Sequence, residues 1–227
     1  MNLPAMPDRW TMIGDLERSD HFHLPLEASC VFWGEYTPYE HTDGKKWNFS
    51  TTNQLISNFK KKMDRRGQPD WQYKARAIST IGQAFPKMFN WADPSLENAA
   101  FIPVPPSKSR NDPMYDSRML EVLKMMAFAA KRQLDIRDCL SFNGTYGASH
   151  EAEDRPSPDQ LYETLIFDPI QGQMQRQPRI IFLVDDMLTT GAHFVAVSRK
   201  LEEIFQGVQI VRVFFARRRV PNIFEVL

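Results

Sequence analysis

Cysteine is scarce: Cys30 and Cys139 are the only two in 227 residues, far apart and in no paired-spacing motif. This argues against a disulfide framework and a cysteine-based zinc centre, and it suits reduced thiols in a cytosol. Net charge is lacking too. The 28 Lys and Arg residues balance 28 Asp and Glu, so the overall field gives no reason for non-specific attraction to nucleic acid or an anionic membrane. No apolar run approaches the roughly 18 residues that span a bilayer, and no signal-like apolar core opens the chain. The expectation is a soluble, cytoplasmic protein without a membrane partner. No glycine-rich segment ends in Gly-Lys-Ser or Gly-Lys-Thr, so a nucleotide P-loop is unsupported. There is no internal repeat.

A chain with 42% hydrophobic and 25% charged residues can bury one substantial core. The reading is an N-terminal extension over 1–28, one domain over 29–220 and a tail over 221–227. Residues 29–36 have the aromatic and β-branched content of a strand. Ser50 or Thr51 can cap a helix with Leu55, Ile56, Phe59 and Met63 on one face. A second helix follows Pro69, carries Ile78, Ile81 and Phe85, and ends near Pro86. From residue 99 short apolar runs alternate with helical patterns, which predicts βαβ units and a largely parallel central sheet flanked by helices, an α/β fold. Strands are expected over 99–104, 136–142, 180–184 and 208–216. Leu120, Leu123, Met126, Ala127, Ala130 and Leu134 mark one helix face; Phe194, Val197, Leu201 and Ile204 mark another. Residues 143–159 hold two Gly, two Pro and six charged or His residues, and read as a surface loop suited to a lid.

The chemistry concentrates after the apolar run 180–184. Two carboxylates, Asp185 and Asp186, are followed by Met187, Leu188, Thr189, Thr190, Gly191, Ala192 and His193, and then by an amphipathic helix. This describes a strand delivering a polar loop to a helix N-terminus, where ligands of open α/β sheets bind. Threonine hydroxyls, successive peptide N–H groups and the helix dipole suit a phosphate, and glycine allows close backbone approach. The carboxylates, expected at a solvent-facing strand end, repel phosphate; they suit sugar hydroxyls or a divalent cation. A phosphorylated sugar satisfies both halves. An acidic pair after a strand also opens phosphoacceptor receiver domains. Only about forty residues follow Asp186, too few for that fold, and the Thr-Thr-Gly cradle would be unexplained.

The segment from Ile181 through Asp185-Asp186 and Thr189-Thr190-Gly191 to Ala192 resembles the phosphoribosyl-diphosphate signature of type I phosphoribosyltransferases. The wider layout over about residues 30–217 resembles the ComF-like branch of that family, with Leu55-Ile56, Phe59-Lys60 and the run Phe101 to Pro105 as further points of likeness. The resemblance implies that Asp185 and Asp186 hold the ribose hydroxyls and that Thr189, Thr190, Gly191, Ala192 and His193 wrap the 5-phosphate. It implies that Ser107 and Lys108, in the run 105–110, meet the diphosphate, with Mg2+ carried by the substrate. No metal held by the protein is assigned. The chain departs from the family pattern at His193, where Thr or Ser is usual, at residues 114–118, which replace an Arg-Gly-Phe-Asn stretch, and in lacking an N-terminal cysteine cluster.

The implied activity is transfer of a phosphoribosyl group from phosphoribosyl diphosphate to an unspecified acceptor. Two alternatives stay open: a non-catalytic sensor of ribosyl phosphates or nucleotides docked to a protein or nucleic-acid partner, and a toxin-like effector. The basic run 60–66 reads first as a solvated helix end and second as a polyanion site. Arg217, Arg218 and Arg219 invite the same two readings. His21 and His23 have ligand-like spacing without further ligands nearby. Phe32, Trp33, Tyr36, Tyr39 and Trp47 read as core before they read as a stacking surface.

Overall fold

The computed structural model describes residues 3, 5–145, 156–172 and 176–221. Its eight strands are β1 (Thr11–Met12), β2 (Cys30–Tyr36), β3 (Ala99–Pro103), β4 (Asp135–Ile136), β5 (Leu140–Phe142), β6 (Leu165–Phe167), β7 (Ile180–Leu188) and β8 (Gln209–Arg218). Six of them form one sheet in the order β1-β2-β8-β7-β3-β4. Only the β1–β2 pair is antiparallel, and β7 runs at the centre between parallel neighbours. Strands β5 and β6 form a separate antiparallel pair.

Residues on β7 alternate between two cores, because successive strand side chains point to opposite faces. Ile181 and Leu183 pack with Phe194, Val197 and Leu201 of helix α7 (Ala192–Ile204) and with Phe142 and Leu165. Phe182 and Val184 pack instead with helices α2 (Thr51–Phe59), α3 (Gln72–Ala84) and α4 (Arg118–Ala130), through Phe59, Ile81 and Leu123. A parallel sheet covered on both faces explains the continuous apolar run that marks β7 in the sequence.

Several elements differ from expectation: β7 runs past 184 to Leu188, so Asp185 and Asp186 lie within the strand and not after it. Helix α2 is capped at Ser50, whose hydroxyl accepts from Asn53 N, but it stops at Phe59 instead of reaching Met63. There the buried Lys74 ammonium donates to the carbonyls of Phe59 (3.0 Å) and Lys61 (2.9 Å), ending the helix on a cation. The buried stripe of α4 is Met119, Val122, Leu123 and Met126, rotated from the expected face, with Leu120 only half-buried. The expected strand over 136–142 divides. Arg137 and Asp138 interrupt its apolar pattern: Arg137 is pinned by Asp135, and Asp138 receives Arg110 (2.6 Å), so β4 stays in the main sheet while β5 leaves it.

The N-terminal extension joins the sheet edge through β1, and its short helix α1 (Asp15–Arg18) leads to a segment that reaches the end of β7. Most of the expected lid, and the tail beyond residue 221, lie outside the described residues. At the far end of the expected lid, Ser157 Oγ accepts from Gln160 N and Ser157 N donates to Gln160 Oε1 at 2.9 Å, capping helix α5 (Pro158–Thr164), so residues 158 and 159 are helical.

Candidate functional site

The turn from β7 into α7 is shaped from behind by the N-terminal segment. His21 donates through Nδ1 to the Thr189 carbonyl, and His23 N donates to the Thr190 carbonyl at 3.0 Å. A trans peptide points its C=O and N–H in opposite directions, so the N–H groups of Thr190 and Gly191 face away from this segment. Gly191 has φ +92° and forms the N-cap of α7 without a side-chain cap, leaving the first-turn N–H groups of the helix to the loop. A Cβ at Gly191 would lie 3.2 Å from Leu24 Cγ and Cδ2, so glycine is required by conformation and by space. The loop thus presents peptide donors, two threonine side chains and a helix N-terminus along one edge. Thr189, Thr190, Gly191, Ala192 and His193 are brought together at this turn, with Gly191 and Ala192 buried and the other three half-buried.

The acidic pair divides. The expectation that both carboxylates sit at a solvent-facing strand end fails for Asp186, which is only 5% exposed. Its Oδ1 accepts from Lys60 Nζ at 3.0 Å, and its Oδ2 accepts from Arg118 Nη2 at 2.6 Å and Nε at 3.2 Å. Arg118 also donates through Nη1 to Asp116 Oδ2 at 2.6 Å and lies over the Phe59 ring. Asp116 receives Lys74 Nζ at 2.7 Å. A chain of ion pairs therefore links α2, α3, the approach to α4 and β7. Burial alone would raise the pKa of Asp186, but Lys60 and Arg118 outweigh it and hold the carboxyl well below its ordinary value. Asp185, on the other side of the strand, makes no direct ion pair among the described residues, although Lys60 and Arg118 still act on it from a distance. Its Oδ1 accepts from Asp186 N at 2.7 Å, while burial, and then the neighbouring Asp186 charge, pushes its carboxyl up to about 7. His193 stands edge-on to Phe142, and burial lowers its pKa against the pull of Asp186.

Lys60, Lys74, Asp116 and Arg118 are the residues that the sequence reading did not assign to this site. Lys60 looked like the start of a solvated basic run, and Asp116 and Arg118 lay in a stretch noted only as a departure from a family pattern. No local signal connects them: Lys60 and Asp186 are 126 residues apart.

Ser107 and Lys108 leave the same sheet edge, because β3 is the parallel neighbour of β7 and Val104 N still donates to Val184 O at 2.9 Å. Both are half-buried. Lys108 pairs with Asp112 at 3.6 Å, and Arg110 anchors the loop to Asp138 and to the Leu140 carbonyl. The described contacts tie Lys108 to its own loop and none of them to Asp185 or Asp186.

The remaining sequence candidates fall elsewhere. Arg217 and Arg219 both pair with Glu35, and Arg218 pairs with Glu40. Phe32 and Trp33 are buried, while Tyr39 and Trp47 are more than half exposed, so the aromatic group is not one surface. His21 and His23 serve the loop backbone as described. Among the described residues, no group of three or more His, Cys, Asp or Glu side chains could hold a metal. Cys30 and Cys139 are unpaired and buried, with their thiols pushed up to about 11 and about 12 by burial. A cavity of about 460 Å³ lies at the end of β2, lined in part by Trp33, Glu35, Thr52 and Arg219. Among the described residues, no helix is long and apolar enough to cross a membrane. No family model matches this chain, and no curated protein matches it.

Proposed function

We propose that this chain has a type I phosphoribosyltransferase-like fold and binds 5-phosphoribosyl 1-diphosphate at the edge formed by residues 185–193. The observation carrying this reading is the turned-out backbone of the Thr189–Thr190–Gly191 loop. Its carbonyls are held by His21 and His23, which leaves peptide N–H groups at the N-terminus of the helix that follows the strand carrying the acidic pair. On this reading Thr189, Thr190, Gly191, Ala192 and His193 hold the 5-phosphate. Asp185 accepts hydrogen bonds from the ribose hydroxyls, and Asp186 contributes as far as its two cations allow. Ser107 and Lys108 meet the diphosphate.

Magnesium belongs to the substrate here. Both Asp186 oxygens are already occupied by cations, so these residues fit a metal carried on the diphosphate better than one held by the chain. In the transfer, the bond between C1 of the ribose and the diphosphate oxygen breaks, and its electron pair leaves with the diphosphate. The lone pair of the acceptor forms the new bond to C1, and the acceptor's proton passes to solvent. The protein's share is orientation of the sugar and stabilisation of the separating charges.

Calorimetry and thermal melting with magnesium phosphoribosyl diphosphate test the reading. A ligand that binds only the folded state stabilises it by about 2.7 kcal/mol at a hundred times its Kd. No heat and no rise in Tm at millimolar ligand would sink the proposal. A screen of base acceptors for diphosphate release then tests turnover. One observation favours a second reading, a non-catalytic sensor: with Asp186 committed to Lys60 and Arg118, Asp185 is left as the main acceptor for the diol. Binding without diphosphate release across the acceptor screen is the outcome that selects it.

A further inference from the structure

We propose that Lys60 is a diphosphate-binding residue, which exchanges Asp186 for a phosphate oxygen when the ligand binds; this rests on the phosphoribosyl reading above.

The two cations on Asp186 differ in their freedom. Arg118 is committed: it gives Nε and Nη2 to Asp186 and Nη1 to Asp116, its side chain is 18% exposed, and it lies over Phe59. Lys60 makes one described hydrogen bond, at 3.0 Å, and its side chain is 38% exposed. An ammonium carries three donors, so two remain available. The backbone around Lys60 is nevertheless fixed, because Lys74 Nζ holds the carbonyls on either side of it, those of Phe59 and Lys61. The aminobutyl side chain can therefore move while its Cα stays in place. Lys61 is drawn away to Asp70, and Lys62 is exposed with no described partner, so Lys60 is the member of the basic run that reaches the strand end.

Charge and position select the ligand group. Ion pairs join Lys60, Lys74 and Arg118 to Asp116 and Asp186, and Glu121 also acts on Lys74. Lys74 is enclosed and Arg118 is held on two sides, so an incoming anion meets Lys60. The side chain of Asp186 points to the face covered by α2 and α4, and the loop after β3 reaches that face at Asp116, after Arg110 has touched Asp138 and Leu140 on the other. The 5-phosphate cradle opens α7 on the opposite face. Lys60 thus stands on the opposite face of the sheet from the 5-phosphate cradle, so the part of the ligand it can meet is the diphosphate and not the 5-phosphate.

The test compares wild type, Lys60→Gln, Lys60→Arg and Lys62→Gln by calorimetry with two probes, magnesium phosphoribosyl diphosphate and ribose 5-phosphate. Both probes carry the ribose and the 5-phosphate, so their ratio isolates the diphosphate. Lys60→Gln should weaken phosphoribosyl diphosphate by about tenfold or more, as expected for one charge-assisted hydrogen bond, and change ribose 5-phosphate by less than about twofold. Lys60→Arg should recover part of the loss, and Lys62→Gln should match wild type. Equal weakening of both probes by Lys60→Gln, or no weakening of either, overturns the assignment of Lys60 and leaves the phosphoribosyl reading standing. Equal losses in Lys62→Gln reduce the effect to net charge and also overturn it. Wild type binding neither probe overturns the phosphoribosyl reading itself, and the role of Lys60 falls with it.

Discussion

The two faces of the sheet secure the end of β7 by different means. On the α2–α3–α4 face, ion pairs run from Lys74 through Asp116 and Arg118 to Asp186 and Lys60. On the α7 face, the N-terminal segment holds the loop by two hydrogen bonds to peptide carbonyls and by Leu24 packed under Gly191. Charge fixes one side and shape fixes the other. The first should respond to pH and to removal of single charges, the second to single atoms and backbone angles.

The largest effect should come from Lys74→Met. It removes a cation that is 3% exposed, leaves the Phe59 and Lys61 carbonyls without their donor, and strips Asp116 of one partner. Breaking a buried pair from one side costs about 3–5 kcal/mol, read from denaturant unfolding. A loss below about 1 kcal/mol would mean that the charged face is not held by its charges. Next is His21→Leu, which removes the donor to Thr189 O from a side chain that is 1% exposed. A loss of about 1–3 kcal/mol is expected from the unpaired carbonyl, together with weaker phosphate binding. Unfolding and titration with ribose 5-phosphate measure the two parts.

Gly191→Ala sharpens the comparison further, because it alters no charge. A side chain at φ +92° costs about 1–2 kcal/mol, and the Leu24 contact adds to it. Unchanged stability and phosphate affinity would show that the loop tolerates a different backbone. A further effect is a tilt with pH. Asp185 has a folded pKa raised from 3.8 to about 7, so the stability contributed by its neutral form is full below 3.8 and is lost as pH rises through about 7. Asp186, held low, contributes in the opposite sense, and its share is lost only as pH falls below 3.8. Asp185→Asn should therefore gain Tm relative to wild type between about pH 5 and about pH 8. A constant difference across that range would remove Asp185 from the titration.

What the sequence made legible follows the range of the interactions. The strand, turn and helix around Asp185 and Gly191 are written in consecutive residues: an apolar run, two carboxylates, Thr-Thr-Gly, then helical spacing. The parallel sheet followed from the same alternation. The charge network was hidden because each member has an ordinary local explanation. Lys60 and Lys61 sit at a helix end, where basic residues are common, and Lys74 lies within a helix otherwise read by its apolar face. His21 was hidden likewise, since its partner Thr189 lies 168 residues away. The break between β4 and β5 was legible in principle, in the adjacent charges Arg137 and Asp138.

The placement of β2 has a kinetic consequence. This early strand pairs in parallel with β8, and Glu35 meets Arg217 across a separation of 182 residues. On a ribosome, β2 emerges long before the strand that will cover its inner edge, and β1 supplies a partner of only two residues meanwhile. Long-range parallel pairing of this kind forms slowly and leaves an unsatisfied strand edge in the nascent chain. Glu35 within β2 and Glu27 and Glu40 on either side of it suit a segment that must wait in water for its partner.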